Sequence, residues 1–198
     1  MNNLLLVILI GLGFFVVVGG IVYAVICYLK RALKPLLSII DGEISFSLFD
    51  IAAILKGRWR DKRVEIRATS HSSDCAISIK FYHFFPFSCQ IFPDKNKKFI
   101  VCLPPLGFLG YENEIPEDKL DISSSPYKDF FTQRRRESIR FVFEKGFNYI
   151  NISHNRIETR MGSWSMIPLV GREKETLQID SINKLLEAMN SFVESPRA

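Results

Sequence analysis

The amino-acid sequence predicts an α+β fold, in which one N-terminal transmembrane helix precedes a mostly antiparallel sheet with two to three helices. Three observations predict it. The first charged residue of the 198-residue chain is Lys30, so the apolar residues are concentrated at the start. Polar and apolar residues alternate in several segments between positions 58 and 103, which is typical of strands. Two later segments, 132–145 and 180–193, place apolar residues at helical spacing.

The apolar segment 4–29 is long enough to cross a membrane. It holds about 26 uncharged residues, whereas a spanning helix needs about 20. Its helical length of about 39 Å exceeds the hydrocarbon core, so tilt or emergence of the Tyr28 end is expected.

A cleaved signal peptide is disfavoured because the start is not basic and the apolar segment is too long. A lipoprotein site at Cys27 is disfavoured because bulky Val25 and Ile26 precede it. A buried helix of a soluble protein is also disfavoured, because the segment is uniformly apolar. We therefore predict an anchor over residues 1–34.

The flanks of this segment predict its orientation. Lys30, Arg31 and Lys34 follow it, and no basic residue precedes it. Positive residues stay on the cytoplasmic side, so we expect an external N-terminus and a cytoplasmic domain at a bacterial inner membrane. The sequence Asn151-Ile152-Ser153 matches a glycosylation site, but we interpret it as the end of a strand.

One face of the predicted anchor carries small residues. Gly13, Gly20 and Ala24 stack on one side of a helix, and small residues four apart let a second helix approach closely. We predict that these three residues pack against another membrane protein. The alternative is that glycine is simply common in membrane helices.

The rest of the chain divides into a connector and a domain. Residues 35–56 are predicted to form a juxtamembrane connector with a short amphipathic helix over 47–55, which Gly57 ends. Residues 57–198 are predicted to form one cytoplasmic α+β domain, with a hairpin around Asp61-Lys62 and inward-facing Trp59, Val64 and Ile66. Further strands are expected over 75–85, 87–92 and 98–103, a loop over 104–128, a helix over 132–145, a hairpin over 147–161, a possible strand over 163–170, and a last helix that Asp180 caps.

The sequence predicts no catalytic residues, cofactor or metal ligands. The four cysteines Cys27, Cys75, Cys89 and Cys102 form no C-x-x-C pair. Phosphate-binding, zinc-protease and nucleophile-elbow motifs are missing as well. His71, Asp74 and Cys75 are adjacent in a segment with the composition of a turn. An enzyme with a site there is the alternative to a non-enzymatic protein, and no small-molecule substrate is identified.

Basic residues form clusters after the anchor and within the domain. We expect six of them to face anionic lipid: Lys30, Arg31, Lys34, Arg58, Arg60 and Arg63. The alternative is an ordinary solvated surface of mixed charge. Nucleic acid is not expected as a partner, because the clusters carry few aromatic residues and the segment 112–121 is acidic.

The segment Gly57-Arg58-Trp59-Arg60-Asp61-Lys62-Arg63-Val64 resembles a glycine-aromatic-basic hairpin of uncharacterised bacterial single-pass membrane proteins. That resemblance, over residues 50–195, implies a cytoplasmic α+β domain of unknown function and no activity. The sequence therefore predicts an accessory or interaction subunit of a membrane complex. The alternatives are a membrane-anchored enzyme and a domain that binds anionic lipid.

Overall fold

The computed structural model describes residues 3–69, 76–93, 99–102, 120–121, 128–162 and 172–194. Within them, four α-helices and nine strands confirm the α+β class. The helices are α1 (Asn3–Leu33), α2 (Gln133–Glu144), α3 (Arg172–Thr176) and α4 (Ile179–Asn190). The strands are β1 (Asp41–Ser47), β2 (Ala52–Trp59), β3 (Lys62–Thr69), β4 (Ile77–Tyr82), β5 (Cys89–Pro93), β6 (Phe99–Cys102), β7 (Leu120–Asp121), β8 (Tyr149–Ser153) and β9 (Arg156–Met161).

The described strands form one sheet in the order β1-β2-β3-β4-β9-β8-β5-β6-β7. Every neighbouring pair is antiparallel. The predicted hairpin of β8 and β9 is confirmed, and it inserts between β4 and β5. The first four strands form a meander, in which each strand pairs with the next in antiparallel orientation.

One face of the sheet carries the hydrophobic core. Successive cross-strand partners on this face form a core row of buried side chains: Leu55, Ile66, Ile79, Thr159, Ile150 and Ile91. Since side chains alternate across a strand, this row fixes which residues of these six strands face inward. The predicted inward residues Trp59, Val64 and Ile66 are all buried.

Helices α2 and α4 contribute to the core cluster through Ile139, Val142, Leu185 and Leu186. Thr132 caps α2, and its side chain accepts a hydrogen bond from the backbone of Arg135. The prediction that Asp180 caps the last helix is wrong. Gln178 occupies that position, and Asp180 lies in the first turn, where its charge still complements the helix dipole.

Helix α1 is continuous with the domain. We call Ile26–Leu33 its inner end and residues 8–24 its outer part. Ile26, Leu29 and Leu33 are buried, the last two completely, and they recur at helical spacing. Leu36 and Ile40, in the connector that follows, are buried in the same core. The described core therefore begins well before residue 57, where the sequence places the start of the domain.

The predicted short helix over residues 47–55 is wrong. The segment contains the end of β1, a turn over 48–51 and the start of β2. The helical spacing of Leu48, Ile51 and Leu55 is coincidental, because Leu48 is exposed and Leu55 is buried in the sheet. Pairing of β2 with β1 and β3 determines the conformation of this segment. This pairing outweighs the weak helical pattern of the local sequence.

Gly57 does not end a helix but lies inside β2, opposite Gly42 of β1. A Cβ atom at either glycine would overlap the backbone of the other strand. The pair therefore lets β1 approach β2 closely at this point. The next turn contains Arg60 and Asp61 rather than Asp61 and Lys62, and both residues have positive φ angles, 47° and 66°. Such angles fit the right-handed twist of a two-residue hairpin.

The other strand predictions agree with β4, β5 and β6, and the helix predicted over 132–145 agrees with α2. The possible strand over 163–170 and the cluster His71, Asp74 and Cys75 lie outside the described residues. So does most of the predicted loop over 104–128.

Candidate functional site

The outer part of α1 is the first candidate surface. Within the described residues, one helical segment, Ile8–Ser38, is long and apolar enough to cross a membrane, with a mean hydropathy of 2.6 over an 18-residue window. A signal sequence meets the same criterion. About 22 residues of α1 precede Val25, and they measure about 33 Å, close to a hydrocarbon core of about 30 Å. The long apolar segment was expected either to tilt or to extend out of the membrane at its Tyr28 end. The buried inner end of α1 agrees with the second of these.

The three predicted helix-packing residues lie on this outer part. Gly13, Gly20 and Ala24 are all exposed. A Cβ atom built on either glycine would meet no atom within 4 Å. The face is therefore open to a second helix.

The six predicted lipid-facing basic residues fall into two separate groups. Lys30, Arg31 and Lys34 are exposed around the inner end of α1. The other three lie at the β2–β3 hairpin, where Arg58 and Arg63 are cross-strand partners. The guanidinium of Arg60 stacks 4.5 Å from the Trp59 ring and pairs with Glu187 over 2.8 Å, while Arg63 stacks on Tyr82.

A polar face lies on the side of the sheet opposite the core. Its centre is a polar row of successive cross-strand partners: Lys56, Glu65, Lys80, Glu158, Asn151 and Gln90. Opposite charges face each other along most of this row, which stabilises antiparallel neighbours. Charge pairs of the polar row stabilise the pairing of β2, β3, β4 and β9 on this face. On the other face, burial of the core row stabilises the same strands.

Glu65 is buried between two lysines. Its carboxylate accepts a hydrogen bond from Lys80 Nζ at 2.7 Å, and Lys56 Nζ lies 4.0 Å away. The Tyr82 hydroxyl also donates to it. Burial opposes ionisation of Glu65, but the hydrogen bond and charge of Lys80, aided by Lys56 and Tyr82, hold its pKa below the ordinary value.

Glu158 is almost fully buried and pairs with two arginines. Arg160 Nε donates to its carboxylate at 2.8 Å, and Arg156 Nε lies 3.3 Å from the other oxygen. The Oδ1 atom of neighbouring Asn151 is buried and has no hydrogen-bond donor. Asn151 pairs on both sides within β8, and the sequence Asn151-Ile152-Ser153 forms the end of this strand, as predicted.

Sequence reasoning missed the polar row. The alternation of polar and apolar residues in β4 and β9 was visible, but the row exists only because β9 pairs with β4 across about 75 residues of chain. No local signal indicates that Lys80 and Glu158 are partners, since this register depends on the whole sheet.

Two histidines and two cysteines of the described residues lie outside the polar row. Nδ1 of His154 lies 3.1 Å from the carbonyl oxygen of Phe85. Burial, together with the charge of Lys62, lowers the pKa of His83. Cys89 is buried in the core and Cys27 is exposed on α1. Among the described residues, no three His, Cys, Asp or Glu side chains come together as a metal site.

No protein-family model matches the chain, and no curated protein or solved structure matches it either.

Proposed function

We propose that this chain is a single-pass membrane protein that holds its α+β domain rigidly against the bilayer and serves as an accessory subunit of a membrane complex. One observation carries the proposal. A single uninterrupted helix is open on all sides in its outer part, while its inner end forms part of the domain core. The domain thus has no flexible linker to the proposed span, and its position relative to the bilayer follows from α1.

The buried inner end also supports retention of the helix rather than cleavage as a signal sequence. Leu29 and Leu33 contribute to the core together with Leu55 and Ile66. Cleavage on the N-terminal side of Ile26 would leave a short helix, and cleavage after it would remove core side chains. Loss of one large buried side chain costs about 2–5 kcal/mol, so losing two would endanger the fold.

The partner surfaces follow from the proposed position. The open face of Gly13, Gly20 and Ala24 suits close approach of a helix from another membrane protein. The exposed Lys30, Arg31 and Lys34 suit contact with anionic lipid, and they favour a cytoplasmic domain and an external N-terminus in a bacterial inner membrane.

Co-purification from native membranes tests the proposal. A tagged chain extracted in mild detergent is expected to migrate on native gels in a complex larger than itself. Gly20→Leu fills the open face and should release the chain as a monomer. Val18→Leu, about 160° away around the helix, is the matched control and should leave the complex intact. A free wild-type monomer, or equal behaviour of both variants, would count against the accessory role.

Orientation needs its own experiment. A green fluorescent protein fused to the C-terminus fluoresces in the cytoplasm of bacteria but fails to fold after export in unfolded form. We expect fluorescence in the membrane fraction. A dark fusion whose C-terminus is accessible to protease outside the inner membrane would reverse the proposed orientation.

A further inference from the structure

Exposed apolar side chains outside α1 are concentrated at the β1–β2 turn. Phe46 is 58% exposed, Leu48 64% and Phe49 102%. Phe84, in the segment after β4, is the other aromatic side chain of this kind among the described residues, at 73%. Three large apolar groups within four residues on a tight turn are unusual for a surface that faces only water.

The turn lies on the side of the sheet that α1 covers. Phe46 is the cross-strand partner of Ala53, which pairs in turn with Ala68. Both alanines face the core and are buried. Helix α1 contacts β1, β2 and β3 directly. These small side chains leave room for a helix close to the strands at the turn end of the sheet.

The connector between α1 and β1 reverses the chain. The side chain of Ile40 lies against Gly57, near the opposite end of β2, where a Cβ atom at Gly57 would come within 2.8 Å of it. From there β1 runs back toward the turn over Asp41–Ser47. Because β1 contacts α1 and returns beside it, we infer that the helix and the strand run in opposite directions. The β1–β2 turn therefore lies at the end of the domain from which the outer part of α1 extends.

We propose that Phe46, Leu48 and Phe49 insert into the interface of the same bilayer that α1 spans. The inference rests on the proposed membrane anchor. Apolar side chains at the boundary of headgroups and acyl chains leave water without crossing the membrane. The only acidic residue in the turn is Asp50, and it pairs with Arg67 and accepts a hydrogen bond from Ser47. Its charge is thereby partly neutralised, which favours contact with lipid.

This placement puts the β2–β3 hairpin away from the membrane. The hairpin begins at the other end of β2, about 27 Å from the turn for a strand of eight residues. Arg58, Arg60 and Arg63 would then face the cytoplasm, and Lys30 and Arg31, which precede the connector on α1, would lie nearer to the headgroups. Phe84 follows Tyr82 at that same distant end of the sheet, since Val64 pairs with Phe81.

Depth-dependent quenching of tryptophan fluorescence tests the inference on the full chain in vesicles of phosphatidylcholine and phosphatidylglycerol. Phe49→Trp and the matched control Phe84→Trp are made in a chain that also carries Trp164→Phe. The buried Trp59 remains in both variants and contributes the same background fluorescence. We expect brominated lipid to quench Phe49→Trp by about twofold, as for a side chain in the interface. Aqueous iodide should quench Phe84→Trp more strongly than Phe49→Trp.

Vesicle flotation after carbonate washing separates the possible failures. If the chain floats but iodide quenches both variants equally, the insertion of the turn is refuted while the anchor stands. Lipid quenching of Phe84→Trp instead of Phe49→Trp would show that the basic hairpin faces the membrane, and it would overturn the inference as well. A chain that does not float refutes the membrane anchor, and with it the inserted turn.

Discussion

The Nε atom of Arg135 donates a hydrogen bond to the carbonyl oxygen of Ser191 over 3.0 Å and so joins the first turn of α2 to the end of α4. The same guanidinium donates to the carbonyls of Phe192, Glu194 and Phe130 and stacks 4.0 Å from the Phe130 ring. Burial lowers the pKa of Arg135. Four carbonyl groups replace the hydration that the cation loses, and three of them follow the end of α4, where the helix dipole is negative.

Removal of this side chain should destabilise the domain. We expect Arg135→Ala to lower the free energy of unfolding by about 2–4 kcal/mol, because several buried carbonyls lose their donors. Denaturant unfolding of the full chain in detergent measures the change. Arg134→Ala is the matched control, since Arg134 is exposed and makes only a surface pair with Glu194, and it should cost less than about 1 kcal/mol. Equal losses in the two variants would contradict the role of Arg135.

Leu33→Ala tests whether the inner end of α1 belongs to the domain core. Leu33 is fully buried, so its truncation should cost about 2–5 kcal/mol in unfolding free energy. Leu12→Ala removes the same atoms from the exposed outer part of α1 and should change it by less than about 1 kcal/mol. Tryptophan fluorescence during unfolding in detergent reports on both. If Leu33→Ala unfolds like the wild type, the helix and the domain are not one folding unit.

The stability contributed by Glu65 should depend on pH. Its pKa is lowered from 4.5 by folding, so the folded state favours the ionised carboxylate. This contribution is fully present above about pH 4.5 and disappears as the pH falls through the lower pKa of the folded state. We expect Glu65→Gln to cost about 1–3 kcal/mol at neutral pH and progressively less below about pH 4.5.

Unfolding of wild type and Glu65→Gln across this pH range measures the effect. Glu187→Gln serves as the control because Glu187 pairs with Arg60 at the surface, where a similar pair is worth less than about 1 kcal/mol. A constant difference between wild type and Glu65→Gln at every pH would contradict the assignment.

The β2–β3 turn offers a stabilising substitution. Asp61 has a φ angle of 66°, a region that L-residues adopt at a cost and glycine adopts freely. We expect Asp61→Gly to raise the free energy of unfolding by about 0.5 kcal/mol, whereas Asp61→Ala should lower it. Thermal unfolding in detergent distinguishes them. A lower midpoint for Asp61→Gly would show that the aspartate side chain matters more than the backbone conformation.

Much of the architecture was accessible from local patterns. Local periodicity predicted the correct elements, because each element buries one face. Examples are the alternating pairs Val64 and Ile66 and Ile77 and Ile79 in strands, and the helical spacing of Ile182 and Leu185. The segment 47–55 was misassigned because a strand end, a turn and a second strand happened to repeat apolar residues at helical spacing. The candidate site was predictable only in part. Composition located the helix, but no local pattern distinguishes the exposed outer part of α1 from its buried inner end.

The sequence by itself determined that an uncharged helix of spanning length precedes an antiparallel α+β domain, since length, charge and period are local properties. Only the tertiary structure decided that the side chains of Leu29 and Leu33, at the inner end of α1, are buried in the core. It also decided that Glu158 faces Lys80 and that Phe46 and Phe49 stay exposed. The physical reason is that burial and register depend on contacts between residues far apart in the chain, which the local pattern does not encode.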